Sequence, residues 1–205
     1  MTLTLASFSR LPLLTMSREE TLYLLVDGAF FPDIRRWLGK HGVNEFPLPV
    51  LADGQYDALA LMGPLLIPLL EDTPMAELWQ RGHEDLQTAT VVRFNGSVQT
   101  LLQWLRARSQ IQLSDGRVVW LRLGDATVIK RLLENTSDTP ASFWSGIEGL
   151  SLATQDGFYH YQHDNADIPP EQSILADLIQ PRFHFDQALV TALTHTTMNE
   201  HREVS

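Results

Sequence analysis

The stretch from Ile111 to Leu133, IQLSDGRVVWLRLGDATVIKRLL, constrains the fold most, because its hydrophobic pattern changes period at Gly124. Before that glycine, alternating residues predict two antiparallel strands joined by a two-residue turn at Asp115-Gly116, where glycine tolerates a positive φ. After it, apolar residues recur at spacings of three and four, so Asp125 is expected to cap a helix. The second strand is apolar on both faces, which predicts a central position in a sheet.

Strand and helix patterns alternate over most of the first 135 residues, which predicts an α/β (α+β) fold with a mixed central sheet flanked by helices. After residue 155 the pattern is mainly helical. We therefore expect an α/β core over 1–155 and a small helical C-terminal lobe over 156–205. The other predicted strands are Leu22–Val26, Asp57–Met62, Leu65–Leu69 and Thr88–Phe94, with a second hairpin over Ile147–Tyr161.

Four further segments accompany the SDGR turn and the LRLGD step: LYLLVDG at 22–28, GPLLIPLL at 63–70, LLQWLRARSQIQL at 101–113 and FW at 143–144. In this order and spacing, the segments resemble the type VI secretion effector adaptor (chaperone) family, also known as domain of unknown function 4123. The resemblance runs from about residue 20 to about residue 150. It implies a protein without catalytic activity that binds its cognate secreted effector in the producing bacterium and loads it onto the type VI spike protein.

Composition limits the other classes of protein. The chain has no cysteine, which excludes disulfides, thiolate metal sites and a cysteine nucleophile. The longest apolar run, Ala58–Leu70, is interrupted by Gly63, Pro64 and Pro68 and is shorter than the roughly 20 residues that span a bilayer. We expect a soluble, cytoplasmic protein that does not insert into membranes.

The formal net charge of −10 argues against general binding of nucleic acid, because that affinity comes mainly from neutralised phosphates. The charge is nevertheless uneven: seven basic residues lie between Arg93 and Arg131, against Asp115 and Asp125. A nucleic-acid-binding module that uses these residues is an alternative, and it requires them to share one exposed face. Solvated charges that flank a core helix are the simpler interpretation.

Candidate catalytic groups are few and scattered. Asp27 ends a buried strand, where a turn-capping role competes with a phosphoryl-accepting one. Ser151 in GLSLA lies in a predicted hairpin instead of the strand-turn-helix that a nucleophile elbow needs. His160, His163 and Asp164 carry metal-ligand chemistry, but alternation puts the two histidines on opposite faces of a strand. A small hydrolase is therefore only an alternative, and we predict no enzyme activity, no cofactor and no required metal.

Aromatic residues after residue 143 offer a surface for a partner, since large aromatic side chains supply contact area at low entropic cost. Alternation places Tyr159 and Tyr161 on the same face as His163, and we expect this face to contact the effector. A core that joins the last helices to the sheet is the simpler interpretation of the same aromatic side chains. The complete predicted contact set is Trp144, Phe158, Tyr159, Tyr161, His163 and Phe183.

Overall fold

A computed structural model describes residues 2–6, 22–94, 96–162 and 178–194. Within these residues, ten strands form two sheets, accompanied by five α-helices and four short 3-10 helices. The strands are β1 (Thr2–Ala6), β2 (Leu22–Asp27), β3 (Leu48–Pro49), β4 (Pro64–Leu69), β5 (Thr90–Phe94), β6 (Gln110–Leu113), β7 (Val118–Trp120), β8 (Ile147–Thr154), β9 (Gly157–Gln162) and β10 (Phe183–Phe185). The α-helices are α1 (Ile34–Lys40), α2 (Pro74–Gln80), α3 (Val98–Arg108), α4 (Ala126–Glu134) and α5 (Gln187–Thr194). The 3-10 helices are Gly28–Phe30, Asp57–Met62, Glu84–Leu86 and Ala141–Trp144.

The larger sheet has seven antiparallel strands in the order β1-β9-β8-β5-β2-β4-β3. Its strand β2 pairs with both β4 and β5, and all six of its residues are buried. Leu24 and Val26 point into one hydrophobic cluster, whereas Tyr23 and Leu25 point into another. A strand covered on both faces needs apolar residues at every position, which explains the unbroken run and confirms the predicted buried strand.

Each face of this sheet is covered by its own layer. The first layer contains α1 and α2, whose Ile34, Leu38 and Trp79 pack on the β2 and β4 side chains of one face. The second layer contains α3, α4, α5 and the smaller sheet, which has the order β10-β6-β7. The predicted α/β (α+β) class with a helix-flanked sheet and a C-terminal helix is confirmed, but the described strand pairs of the central sheet are all antiparallel, and the parallel pair β10–β6 lies in the smaller sheet.

The hairpin of β6 and β7 is confirmed, but its loop and its position differ from the prediction. The register pairs Ile111 with Val119, and Leu113 N–H donates to Arg117 O at 2.8 Å, so the loop has three residues. Gly116 has a φ of +85° and follows a turn closed by its own N–H to Leu113 O. Strand β7 is an edge strand of the small sheet rather than a central strand, because the larger sheet is built from other segments.

The segment Asp57–Met62 forms a 3-10 helix and not the predicted strand. Gly63 N–H donates to Leu59 O and closes the end of this helix. Gly28 N–H, just after β2, donates to Gly63 O at 2.8 Å and ties the two segments together. The predicted strand that follows is confirmed as β4. Pro68 is opposite Tyr23, beyond the short stretch of β3, so β4 has a paired neighbour on one side only at this proline.

The predicted helix after Ser97 is confirmed, and Ser97 Oγ accepts from Thr100 N–H. Its last residue, Arg108, is fully buried. The guanidinium donates to the carbonyls of Phe143 (2.6 Å), Ser142 (3.0 Å) and Trp104 (3.0 Å) and lies 4.1 Å above the Trp104 ring. Burial lowers the pKa of this guanidinium well below its ordinary value. The side chain therefore joins α3 to the FW segment inside the core.

The hairpin predicted over Ile147–Tyr161 is confirmed as β8 and β9, joined through Gln155-Asp156. A domain boundary at residue 155 would cut this hairpin. Helix α5 packs against α4 and buries Leu189 in the same cluster as the small sheet, so the described residues after 155 are part of the layered fold. Across the described ranges, no helix combines the length and the apolar content needed to cross a bilayer.

Candidate functional site

An apolar groove of about 360 Å³ opens where the end of β2, the 3-10 helix Asp57–Met62 and the end of β7 meet. We call it the Trp120 groove. Its volume lies within the range typical of small-ligand and side-chain pockets. It is lined by Asp27, Ala29, Leu51, Leu59, Met62, Gly63, Pro64, Trp120, Leu121 and Arg122.

An ion pair between Asp27 and Arg122 joins two walls of the groove. Arg122 Nε and its second guanidinium nitrogen lie 2.8 and 2.6 Å from Asp27 Oδ2. The other oxygen, Oδ1, accepts from Ala29 N–H at 2.9 Å and so caps the 3-10 helix that follows β2. The Arg122 guanidinium also lies 4.9 Å from the centre of the Phe30 ring. With these partners, the carboxylate fixes the backbone at the end of β2 and pairs an arginine from the loop after β7.

Glycine residues allow the groove walls to approach each other closely. A Cβ on Gly28 would lie 2.0 Å from Leu61 O, and one on Gly124 would lie 2.6 Å from both Asp27 Cα and Val26 O. Neither position has room for a side chain. The end of β2 is therefore in backbone contact with the segment before β4 on one side and with the loop after β7 on the other.

The rim of the groove exposes large apolar side chains. Met62 is 62% exposed, Leu59 47% and Trp120 44%. The Trp120 ring packs edge-on against Tyr56 at a centroid distance of 4.7 Å, and the Tyr56 hydroxyl accepts from Gln110 Nε2. The tryptophan is therefore held in place from the protein side while part of its surface faces solvent. Exposed apolar surface around a groove of this kind is typical of a site that binds another protein.

Three segments that are distant in sequence supply five of the ten lining residues: LYLLVDG supplies Asp27, GPLLIPLL supplies Gly63 and Pro64, and LRLGD supplies Leu121 and Arg122. A family model described as DUF4123, domain of unknown function, matches residues 22–142, which is more than half of the chain. The chain belongs to the DUF4123 family. Comparison with curated proteins and with solved structures finds no match. The matched region of this DUF4123 protein includes the whole Trp120 groove.

The aromatic contact set predicted from the sequence requires correction. Trp144, Tyr161 and Phe183 are each at most 5% exposed and pack together in the core, where Tyr161 and Trp144 have ring centres 6.1 Å apart. Alternation had placed Tyr159 and Tyr161 on one face, and that face turns towards α4 instead of solvent. These three aromatic side chains hold the second layer on the sheet and are not part of the protein surface.

The other members of that set have different surroundings. Tyr159 is half-buried, stacks on Lys130 at 4.6 Å and donates to Asp156 at 3.1 Å. Phe158 is also half-buried, with its ring edge-on to Trp79 on the opposite face of the sheet. The set is therefore divided between the two faces. His163 and the predicted ligand Asp164 lie outside the described residues.

Two of the candidate catalytic residues do meet. Ser151 Oγ lies 3.2 Å from His160 Nδ1, because the two residues are direct partners across β8 and β9. The charged group that acts on the imidazole is Arg93, and burial together with this arginine lowers the pKa of His160. Ser151 lies within a regular strand and is buried, whereas a nucleophile elbow presents its serine at a sharp turn. Asp27 lies at the end of β2, two strands away from β8 and beside the Trp120 groove, and no described contact joins it to this pair.

The basic residues between Arg93 and Arg131 do not share one exposed face. Arg108 is in the core, and Arg106 donates to the carbonyls of Val50 and Ala52. Four of the remaining five bind acids or carbonyls of the chain: Arg117 binds Asp115, Arg122 binds Asp27, Lys130 binds Asp156 and Glu134, and Arg131 binds Leu193 O. These contacts give most of the basic residues a role within the fold.

Sequence reasoning missed two features. The exposed rim of the Trp120 groove is not predicted, because alternation places Trp120 on a covered face of its strand and places Leu59 within a strand. A group of His41, His83 and Asp85 was hidden because its members come from loops that follow different helices. The available signal for the groove was the placement of large apolar residues beside Gly63-Pro64, where a turn exposes them.

Proposed function

We propose that this chain is a non-catalytic adaptor that binds a type VI secretion effector in the cytoplasm of the producing cell and loads it onto the spike protein. The Trp120 groove carries the proposal, because three segments that resemble the effector adaptor family supply five of its ten lining residues. The groove is apolar and open, and its carboxylate is engaged by Arg122 and by Ala29 N–H. Such a site favours the binding of apolar side chains over bond cleavage.

The proposed occupant of the groove is an apolar segment of the effector that carries leucine, methionine or aromatic side chains. Met62, Leu59 and Trp120 present apolar surface to this occupant. The charges of Asp27 and Arg122, which line the groove, neutralise each other in an ion pair. A second copy of the chain is a poorer occupant, because two molecules that each carry a formal charge of −10 repel each other.

Trp120 and Met62 are the proposed energetic anchors. Binding energy in protein interfaces is concentrated in a few large side chains near the centre of the contact. Trp120 is already held against Tyr56, so little conformational entropy is lost when a partner covers its remaining surface. Met62 is the most exposed side chain of the rim, and its flexible thioether adapts to an irregular partner.

The test measures affinity for the product of an effector gene adjacent to the gene for this chain. Trp120→Ala and Met62→Ala are each expected to weaken effector binding by about 30-fold, the equivalent of about 2 kcal/mol for an interface anchor. Phe46→Ala is the matched control, because Phe46 is 77% exposed and is not among the lining residues. Binding by this control should equal that of the parent chain.

Thermal melting separates a lost contact from a lost fold. Met62→Ala should melt within about 2 °C of the parent, because truncation of an exposed side chain changes stability by under about 0.5 kcal/mol. A stable Met62 variant and a stable Trp120 variant that both bind the effector as tightly as the parent would refute the groove as the contact. A chain that forms dimers which these changes dissociate would show instead that a second copy is the occupant.

A further inference from the structure

His41, His83 and Asp85 meet on the face of the sheet that carries α1 and α2, away from the Trp120 groove. One ligand atom from each residue lies within 4.8 Å of the other two. His41 ends α1, whereas His83 and Asp85 belong to the loop and 3-10 turn that follow α2. The group is therefore assembled by the tertiary fold from segments about 40 residues apart in sequence.

The ring of His41 contains a polar atom without a hydrogen-bond partner. Its Nε2 is buried and accepts or donates no hydrogen bond among the described residues. A buried polar atom is ordinarily satisfied by protein, water or an ion. A neutral imidazole nitrogen that keeps its lone pair is the commonest metal ligand in proteins, so an unpartnered ring nitrogen of this kind is a candidate ligand atom.

The other two residues are oriented by their own contacts. His83 Nδ1 accepts from Asp85 N–H at 3.3 Å, which orients the imidazole ring, and this nitrogen lies 3.7 Å from Asp85 Oδ2. Trp37 Nε1–H donates to the same Oδ2 at 2.7 Å, and the Trp37 ring packs against the His41 ring at 4.6 Å. A donor that fixes a ligating carboxylate is a usual outer partner in metal sites.

From this geometry we propose that His41, His83 and Asp85 form a binding site for a divalent transition-metal ion, with zinc as the expected occupant. Two imidazoles and a carboxylate suit zinc better than calcium or magnesium, which prefer oxygen ligands. Ligand atoms around a tetrahedral zinc ion lie about 3.3 Å apart, so small side-chain rotations close the present group. The fourth position is left to water.

A metal ion at this site would join the C-terminal end of α1 to the loop after α2. Trp37 then connects the site to the start of α1, since its ring packs edge-on against Phe31 at 5.2 Å. Lys40 and Arg81 act electrostatically on His41 and disfavour a cation, whereas Asp85 favours one. The metal can bind only if its bonds to the two imidazoles and the Asp85 carboxylate are stronger than the repulsion from these two cations.

The experiment uses the full chain without an affinity tag, stripped with a chelator and titrated with ZnCl₂ at pH 7.5 by calorimetry. One zinc ion per chain is expected. His41→Gln and His83→Gln should each weaken binding at least tenfold, and Trp37→Phe should weaken it by about 10- to 100-fold through loss of the outer hydrogen bond. His184→Gln is the matched control, because His184 is exposed on β10, outside this group, and its change should leave the affinity unaltered.

A second measurement keeps the outcome independent of stability changes in the variants. Zinc should raise the melting temperature of the parent and of His184→Gln, and it should not raise that of His41→Gln or His83→Gln. Co²⁺ in place of zinc should give the visible absorption of a tetrahedral complex only in the first two proteins. A parent chain that binds no zinc, or histidine variants that bind it as tightly as the parent, would overturn the proposal.

Discussion

The contact between Gly124 and the end of β2 gives the sharpest test of the fold. A Cβ at position 124 would lie 2.6 Å from Asp27 Cα, 2.6 Å from Val26 O and 2.7 Å from Asp27 N. All three atoms belong to the backbone of β2 where Val26 and Asp27 pair with β4, so they cannot rotate away. To bring the closest contact to 3.0 Å, the loop after β7 must move by at least about 0.4 Å.

The cost of Gly124→Ala follows from two opposing effects. Overpacking against a rigid neighbour costs about 1–3 kcal/mol, and the upper end applies here because the neighbour is backbone. Restriction of the unfolded chain by alanine returns about 0.4–1 kcal/mol. The net loss is about 2 kcal/mol of unfolding free energy, which lowers the melting temperature of a chain of this length by about 4–8 °C.

Thermal and urea unfolding, followed by circular dichroism, measure this loss. Gly39→Ala is the matched control, because Gly39 lies in α1 and a Cβ there meets nothing within 4 Å. Alanine at an open helical position stabilises by about 0.5–1 kcal/mol, so the control should melt slightly above the parent. A Gly124→Ala variant that melts within about 1 °C of the parent would refute the steric role of Gly124, and so would two alanine variants that shift the melting temperature in the same direction.

Two further predictions concern the buried arginine and the β8–β9 turn. Arg108→Lys should lower the unfolding free energy in urea by at least about 2 kcal/mol, because an ammonium cannot reach all three carbonyls and an unsatisfied buried carbonyl costs about 1–3 kcal/mol; an unchanged urea midpoint would contradict the structural role. Burial raises the pKa of Asp156, but the hydrogen bonds from Thr154 and Lys130 outweigh it and lower that pKa to about 2. A lowered carboxyl pKa stabilises the fold above the unfolded value of about 3.9, and the stabilisation disappears as the pH falls towards 2. Asp156→Asn should therefore be less stable than the parent at pH 7, by less than about 1 kcal/mol of unfolding free energy because Asp156 is 60% exposed, and the difference should close as the pH falls through about 2; a gap that persists at low pH would refute this assignment.

Local patterns were sufficient to predict many elements of this fold. The unbroken apolar run before Asp27 correctly predicted a strand covered on both faces, and Ser97 correctly predicted the start of α3. The period change at Gly124 correctly separated the hairpin from α4. These predictions succeed because each depends on residues only a few positions apart, which share a face or cap one end of the same element.

Predictions of burial failed where two elements from distant parts of the chain meet. Trp120 was assigned to a covered face because its strand is apolar on both sides, yet β7 is an edge strand and leaves this ring at the groove. Tyr161 was assigned to a surface, yet α4 and the Phe183 strand cover its face of the sheet. Alternation correctly tells which residues share a face, but it contains no information about what packs on that face.

The sequence by itself determined the class of fold, the strand and helix positions near its clearest motifs, and the family to which those motifs belong. Only the tertiary structure decided that three of these motifs meet at the Trp120 groove, that Arg108 is in the core, and that His41 approaches His83. The physical reason is the range of the interactions. Hydrogen bonds within a turn or helix act between near neighbours in sequence, whereas a groove or a metal site depends on how whole layers pack, and the packing of layers is a property of all their side chains together.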